Sequence, residues 1–236
     1  MAKLDLNRLP KHIGVIIDGN GRWAKKRGLP RTVGHDAGFK NLKKFLRYAF
    51  DLGIDTVSVY CFSTENWNRP QKEVDHLMEI FRDAFDSEFD ELLGDKTRLY
   101  VSGDHTRFPS DLAEKIDGLL EKTKGNTEHR LNICINYGSH DEILRAVNNM
   151  INDGVKDVNK EIFNSYLYTA ELPPLDLIIR TSGEQRLSNF MLWQAAYAEF
   201  YFAKVHWPSF TGKHLDKALI NFQNRDRRFG AIKDKK

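Results

Sequence analysis

The sequence predicts an α/β fold, a single domain over residues 1–236 with a largely parallel sheet of about six strands and helices on both faces. Three observations predict it. Short apolar, β-branched or aromatic runs recur along the chain: IGVII from Ile13, TVSVYCF from Thr56, RLYVSG from Arg98, LNICINY from Leu131, LDLIIR from Leu175 and AEFYFAKV from Ala198. Amphipathic helical patterns separate most of these runs, the alternation expected of strand-helix-strand crossovers. The 236 residues are also enough to bury roughly three quarters of the unfolded surface without disulfide staples.

Each element has a local reason. After the first run, Phe39, Leu42, Phe45, Leu46, Ala49 and Phe50 make one helical face that closes at Gly53, a C-cap. Leu77, Phe81, Phe85 and Phe89 step by four, so each is rotated by ~40° from the last and all share one helix face. Such a stripe is ordinarily core; it can also wall an apolar tunnel. Ser139 and Glu142 have capping-box spacing and open a helix ending near Gly154. Leu215, Ala218, Leu219 and Phe222 mark a last amphipathic helix, and residues 231–236 read as a loose tail.

Composition narrows the function classes. Lys+Arg is 36 and Asp+Glu is 33, a net charge of +3 that is too small for a nucleic-acid coat or a polybasic anchor. Any anion binding is therefore local. With 41% hydrophobic and 29% charged residues the chain reads as an ordinary globular protein, and its apolar runs fall far short of the ~20 residues of a membrane span. The N-terminus carries no export-type apolar region, so a cytoplasmic location is expected. Cys61 and Cys134 sit inside strand-like runs, as small buried thiols do. The eight histidines are spaced for no zinc site.

In parallel sheets ligands bind beyond the carboxyl ends of the strands. The first run is followed by Asp18-Gly19-Asn20-Gly21-Arg22-Trp23, the second by Ser63-Thr64-Glu65-Asn66-Trp67-Asn68-Arg69, and the fifth by Arg180-Thr181-Ser182-Gly183-Glu184-Gln185-Arg186-Leu187-Ser188. Glycines let a backbone approach an anion, and arginines offer bidentate donors to phosphate oxygens. Three strand ends thus deliver a phosphate-holding set, with an acid at the first.

Gly19-Asn20-Gly21-Arg22-Trp23-Ala24 also fits the dinucleotide fingerprint G-x-G-x-x-G/A. That reading fails. The second strand ends roughly 44 residues on, in Ser63 rather than the required acid, and Arg22 and Trp23 crowd the turn. Taken singly, Asp18 reads as a turn or cap residue, Arg180 and Arg186 as surface charges, and His35 as a helix-start histidine. The place of Asp18, Arg180 and Arg186 at strand ends favours a site.

IIDGNGRWAKKRG with Arg31 and GHDAG, then YCFSTENWNRP, then DLIIRTSGEQRLSNFMLWQAAYAEFYF, in this order and spacing, resemble the cis-prenyltransferase family and most closely its bacterial undecaprenyl diphosphate synthases. The likeness runs from about residue 12 to 230. It implies repeated addition of isopentenyl diphosphate to an allylic diphosphate, usually farnesyl diphosphate, forming new Z double bonds and a long-chain product such as the undecaprenyl carrier of cell-wall synthesis. Carried over by position, Asp18 is the essential acid that holds Mg²⁺, and Glu199 joins it on the metal side. Gly19, Asn20, Gly21, Arg22, Trp23 and Arg31 cradle the allylic diphosphate, with His35 nearby. Arg180, Arg186 and Ser188 hold isopentenyl diphosphate. Ser63, Asn66, Trp67 and Arg69 lie between the substrates and support condensation. The group that removes the isopentenyl proton is Asp18 or a diphosphate oxygen. Arg228, in an R-x-G ending with Gly230, is expected to reach across a homodimer to the partner's site.

The resemblance also makes the phenylalanine stripe a tunnel wall for the growing chain. Its departures, Ile17 for the usual methionine, Ser139-His140 for Gly-Arg and Ala231 for glycine, fall on no carried-over catalytic position. A second class of reading is a non-catalytic partner subunit within a prenyltransferase complex. Such a chain should lack the acid and arginines that Asp18, Arg22, Arg31, Arg180 and Arg186 supply here.

Overall fold

The computed structural model describes residues 3–225. Six strands, β1 (His12–Ile16), β2 (Thr56–Ser63), β3 (Thr97–Ser102), β4 (His129–Tyr137), β5 (Leu177–Arg180) and β6 (Glu199–Phe202), form one sheet in the order β3-β4-β2-β1-β5-β6. Every neighbouring pair is parallel, so the sheet is wholly parallel rather than largely so. The chain moves one way from β1 to β2 and returns to the other side of β1 with β5. That reversal opens a crevice at the carboxyl ends of β1, β2 and β5. Arg228 and residues 231–236 lie outside the described residues.

Helices α1 (Asn20–Lys25), α2 (Arg31–Asp51), α3 (Gln71–Asp83), α4 (Phe89–Leu93), α5 (Ser110–Thr123), α6 (Ser139–Asn152), α7 (Lys160–Ser165) and α8 (Gly212–Gln223) connect and cover the strands. Strand residues alternate between two packings. Ile13, Val15, Val57, Val59, Leu131, Ile133, Leu177 and Ile179 join the large core with α2, α3, α5 and α8, while Ile16, Tyr60, Cys134 and Ile178 join a smaller cluster with Phe190 and Met191. In α2 the buried positions His35, Gly38, Leu42, Phe45, Leu46 and Ala49 follow the helical period, and Gly53 closes the turn at φ +95°. A Cβ at Gly34 would lie 2.2 Å from the Asn20 carbonyl oxygen, so α1 reaches α2 only over glycine.

Two local expectations are corrected. α6 is capped by Gly138, with no side-chain cap bond, so Ser139 and Glu142 form no capping box. Ser139 Oγ instead accepts from the Leu192 amide at 3.0 Å. The buried Glu142 carboxylate accepts from Tyr137 OH at 2.6 Å, the Tyr168 amide at 2.9 Å and Gln194 Nε2 at 3.1 Å. The Ser139 amide is itself buried and already donates to the Asn189 carbonyl at 2.8 Å, so Glu142 serves other donors. The step-four stripe is likewise not one helix, because a π-helical turn over Ala84–Glu88 separates α3 from α4.

A polar chain crosses four strands beneath the smaller cluster. His12 Nδ1 lies 2.8 Å from the Pro173 carbonyl, which can only accept, so Nδ1 carries the proton and Nε2 accepts from Ser58 Oγ at 2.8 Å. Ser58 Oγ accepts from Asn132 Nδ2 at 3.0 Å, and Asn132 Oδ1 accepts from Ser102 Oγ at 3.0 Å. Burial pulls the His12 pKa down to about 4. The unfolded chain then takes up a proton near pH 6.5 while the fold resists it, so stability falls as pH drops from 6.5 to 4. His12→Asn should flatten the loss between pH 7 and pH 5 by about 2 kcal/mol, read as the difference between wild-type and variant urea unfolding at the two pH values. Parallel slopes would show that His12 does not set the acid limit.

Candidate active site

The crevice is a cleft of about 720 Å³. Its polar end is built where β1 and β5 stop. Asp18, two residues beyond β1, accepts from Arg22 Nη2 at 2.9 Å on one carboxylate oxygen and from Arg180 Nη2 at 3.0 Å on the other. Arg180 closes β5 at 4% exposure, and its other terminal nitrogen donates to the Arg186 carbonyl at 2.5 Å and Ser188 Oγ at 2.8 Å. Its buried Nε has no partner among the described residues. Arg22 reaches on to Glu184 at 2.5 Å, and Glu184 also receives Arg186. Arg180, Asp18, Arg22, Glu184 and Arg186 thus alternate in sign across the mouth.

A second cluster faces it from α2 and α3. The Glu73 carboxylate, 7% exposed, takes the Arg31 guanidinium at 3.1 Å, His35 Nε2 at 3.1 Å and Arg69 Nη1 at 3.2 Å. Burial pushes this carboxyl up, but Arg31, His35 and Arg69 outweigh it and hold it below the ordinary range. Burial also lowers His35 despite Glu73, which keeps it neutral and donating through Nε2. Between the clusters stand Ser63 and Asn66, whose Oδ1 accepts the Ser63 amide at 3.3 Å.

The other end of the cleft is apolar, walled by Phe39, Leu42, Leu77, Ile80 and Phe81. The stripe therefore divides: Leu77 and Phe81 face the cleft, whereas Phe85 and Phe89 are buried in the core, with Phe39 packed edge-on against Phe89 at 5.9 Å. Cys61 lines the wall as a free thiol that burial pushes up to about 12.

Of the expected residues, Asp18, Gly19, Asn20, Gly21, Arg22, Arg31, His35, Ser63, Asn66, Arg69, Arg180 and Ser188 line this one cleft. Four described ones do not. Trp23 donates its indole N–H to Ser209 Oγ at 2.9 Å beneath the Arg27 guanidinium, and Trp67 donates to Asn136 Oδ1 at 2.8 Å between Phe62 and Phe108. Both rings are packing elements. Arg186 lies outside the lining and contributes its carbonyl to Arg180. Glu199 opens β6 level with Leu177, three residues before Arg180, so it lies roughly 10 Å back along the strands from the Asp18 end. It is engaged by Arg225 Nη1 at 2.6 Å and does not line the cleft with Asp18. Among the described residues no group of three His, Cys, Asp or Glu is placed to hold an ion.

Sequence reasoning missed Glu73 and Glu184. The Arg69–Glu73 spacing of four was a visible signal, and Glu184 sits inside a motif already singled out; their other partners are distant in the chain.

Residues 16–230 match the family described as "Putative undecaprenyl diphosphate synthase". The chain belongs to this family of prenyltransferases. An isoprenyl transferase of Clostridium perfringens is 49% identical, the match covering 96% of this chain and 92% of that protein; one of Fusobacterium nucleatum is 50% identical over 96% and 98%. Among solved structures, lavandulyl diphosphate synthase from Lavandula x intermedia, in complex with dimethylallyl diphosphate, aligns with a TM-score of 0.90 at 34% identity, over 95% of this chain and 100% of that one. A probable undecaprenyl diphosphate synthase from Campylobacter jejuni aligns at 0.78 and 33% identity, over 98% and 100%. The chain is thus a prenyltransferase of the cis-prenyl fold, and no helix among its described residues is long and apolar enough to cross a membrane.

Glu73→Ala should lower the unfolding free energy by about 2 kcal/mol, because it strands the buried His35 N–H and leaves Arg69 unpaired. A urea midpoint unchanged from wild type would show that the cluster carries no net stability.

Proposed function

We propose that the cleft adds isopentenyl diphosphate repeatedly to an allylic diphosphate, farnesyl diphosphate by preference, to make undecaprenyl diphosphate. One observation carries this reading: arginines gathered around Asp18 and Glu73 open directly onto an apolar wall, the complement of a charged head on a long hydrocarbon tail. Two diphosphates bring roughly six negative charges, and each unlike pair at ~4 Å is worth about 4 kcal/mol at an effective dielectric of ~20. Each buried CH₂ of the tail adds about 0.8 kcal/mol.

In this reading Arg22 and Arg31 hold the allylic diphosphate beside the Gly19-Asn20-Gly21 turn, and Arg180 with Ser188 holds isopentenyl diphosphate. Ser63, Asn66 and Arg69 orient the reacting carbons between them. The donor set fits Mg²⁺, which takes one or two carboxylates and completes its shell with phosphate oxygens and water; Asp18 would hold it. When bound, the ion stabilises the negative charge that grows on the departing diphosphate.

A homodimer belongs to the same proposal. Leu144, Val147 and Ile151 share one exposed face of α6, and Trp193 and Tyr197 are exposed too, apolar surface that a second copy would cover.

Mg²⁺-dependent incorporation of labelled isopentenyl diphosphate into a butanol-extractable lipid tests the reading, and chromatography of that lipid gives its length. Asp18→Ala should cut kcat at least tenfold, on the scale of about 1.4 kcal/mol per decade, while substrate still binds. A variant keeping more than about a tenth of the rate would remove Asp18 from the chemistry. Arg180→Ala should raise KM for isopentenyl diphosphate more than for the primer, and Arg31→Ala the reverse. Equal effects on both substrates would mean the two head-group sites are assigned wrongly.

A further inference from the structure

The Asp18 carboxylate is held by arginines that an incoming diphosphate would also contact, so something else must fix the residue. Its main chain supplies the answer. The Asp18 carbonyl oxygen accepts from Thr181 Oγ1 at 2.6 Å, Ser182 Oγ at 2.8 Å and the Trp207 amide at 3.1 Å. Residues following β5 and β6 therefore converge on one atom beyond the end of β1.

Ser182 is the unusual member. It adopts φ +75°, a region costly for a residue with a Cβ, while its amide is tied to the Val205 carbonyl at 2.8 Å. Its Oγ also lies 2.9 Å from His206 Nδ1. A serine hydroxyl has one proton, and the Asp18 carbonyl can only accept. The proton therefore goes to Asp18, and His206 must donate from Nδ1 to Ser182 Oγ. This leaves His206 Nε2 bare, and that buried atom indeed has no partner among the described residues. The contact is also tight. A Cβ at residue 19, where Gly19 sits at φ +106°, would lie 1.9 Å from Ser182 Oγ and 2.9 Å from His206 Nδ1.

We infer that His206 is a positioning residue that acts through Ser182 to hold the Asp18 carbonyl, and with it the carboxylate, while the arginines change partners. The inference rests on the reading of Asp18 given under the proposed function. His206→Leu should lower kcat for isopentenyl incorporation about tenfold and leave both KM values within about twofold, because ground-state contacts are untouched. His206→Asn, whose side chain keeps a donor near the Nδ1 position, should restore kcat to within about threefold. In a Ser182→Ala background His206→Leu should cause no further loss, since the two act as one unit. Amide exchange at Trp207 in the unliganded protein gives a readout independent of turnover: faster in His206→Leu, normal in His206→Asn.

An active wild type with unchanged kcat in His206→Leu overturns the inference, as do losses that multiply in the double variant or a defect that His206→Asn does not rescue. A wild type that incorporates no isopentenyl diphosphate overturns the functional reading instead. The Trp207 exchange rate then decides the latch alone, an unchanged rate refuting it.

Discussion

A cation buried at the end of strand β5 is the constraint around which this site is organised. Arg180 sits at 4% exposure, where an unpaired charge would cost several kcal/mol. Asp18, Ser188 and the Arg186 carbonyl answer it from two loops. To bring those acceptors round, the chain after β5 takes positive φ at Ser182, Ser188, Asn189 and Met191, none of them glycine. Local strain is thus set against the desolvation of one guanidinium. The polar end of the cleft is already assembled, with carboxylates on its arginines. A bound diphosphate would exchange acceptors on arginines already in place, so little reorganisation accompanies binding.

The division of the cleft follows from layer order. A parallel sheet turns all its carboxyl ends the same way, which gathers the loops after β1, β2 and β5. Helices α2 and α3 lie over one face, so the same crevice continues downward between hydrophobic side chains. A charged end and an apolar wall therefore share one opening without any dedicated domain for either.

The strands were legible because each is a short apolar run bounded by polar loops, and the end of a run in a parallel sheet already says where ligands go. Site residues at strand ends, such as Asp18, Ser63 and Arg180, inherit that legibility. The tryptophans do not. Trp23 and Trp67 stand in phosphate-like motifs, yet their indole N–H groups find Ser209 and Asn136, and nothing local in the chain announces those acceptors. Glu73 had only its spacing of four from Arg69 to announce it, since Arg31 and His35 meet it through the packing of α2 on α3. The height of Glu199 was not legible, because a motif records order along the chain whereas the register of β6 on β5 sets position. The π-helical turn that splits the phenylalanine stripe had no signal in a spacing of four.

The hydrogen-bonded chain from His12 to Ser102 also bears on how the sheet avoids misassembly. Sliding one strand by two residues returns every side chain to its own face, so alternating valines and isoleucines cannot tell the native alignment from its neighbour. Ser58, Asn132 and Ser102 can. A two-residue slip would separate donor from acceptor inside the protein and strand polar atoms away from water, at roughly 1–3 kcal/mol for each. The chain thus acts as a vernier, rejecting alignments that the hydrophobic pattern tolerates. It does so across β1, β2, β4 and β3. Two of these, β1 and β2, end at the crevice, where an error of one pleat would move Asp18 and Ser63 by roughly 7 Å.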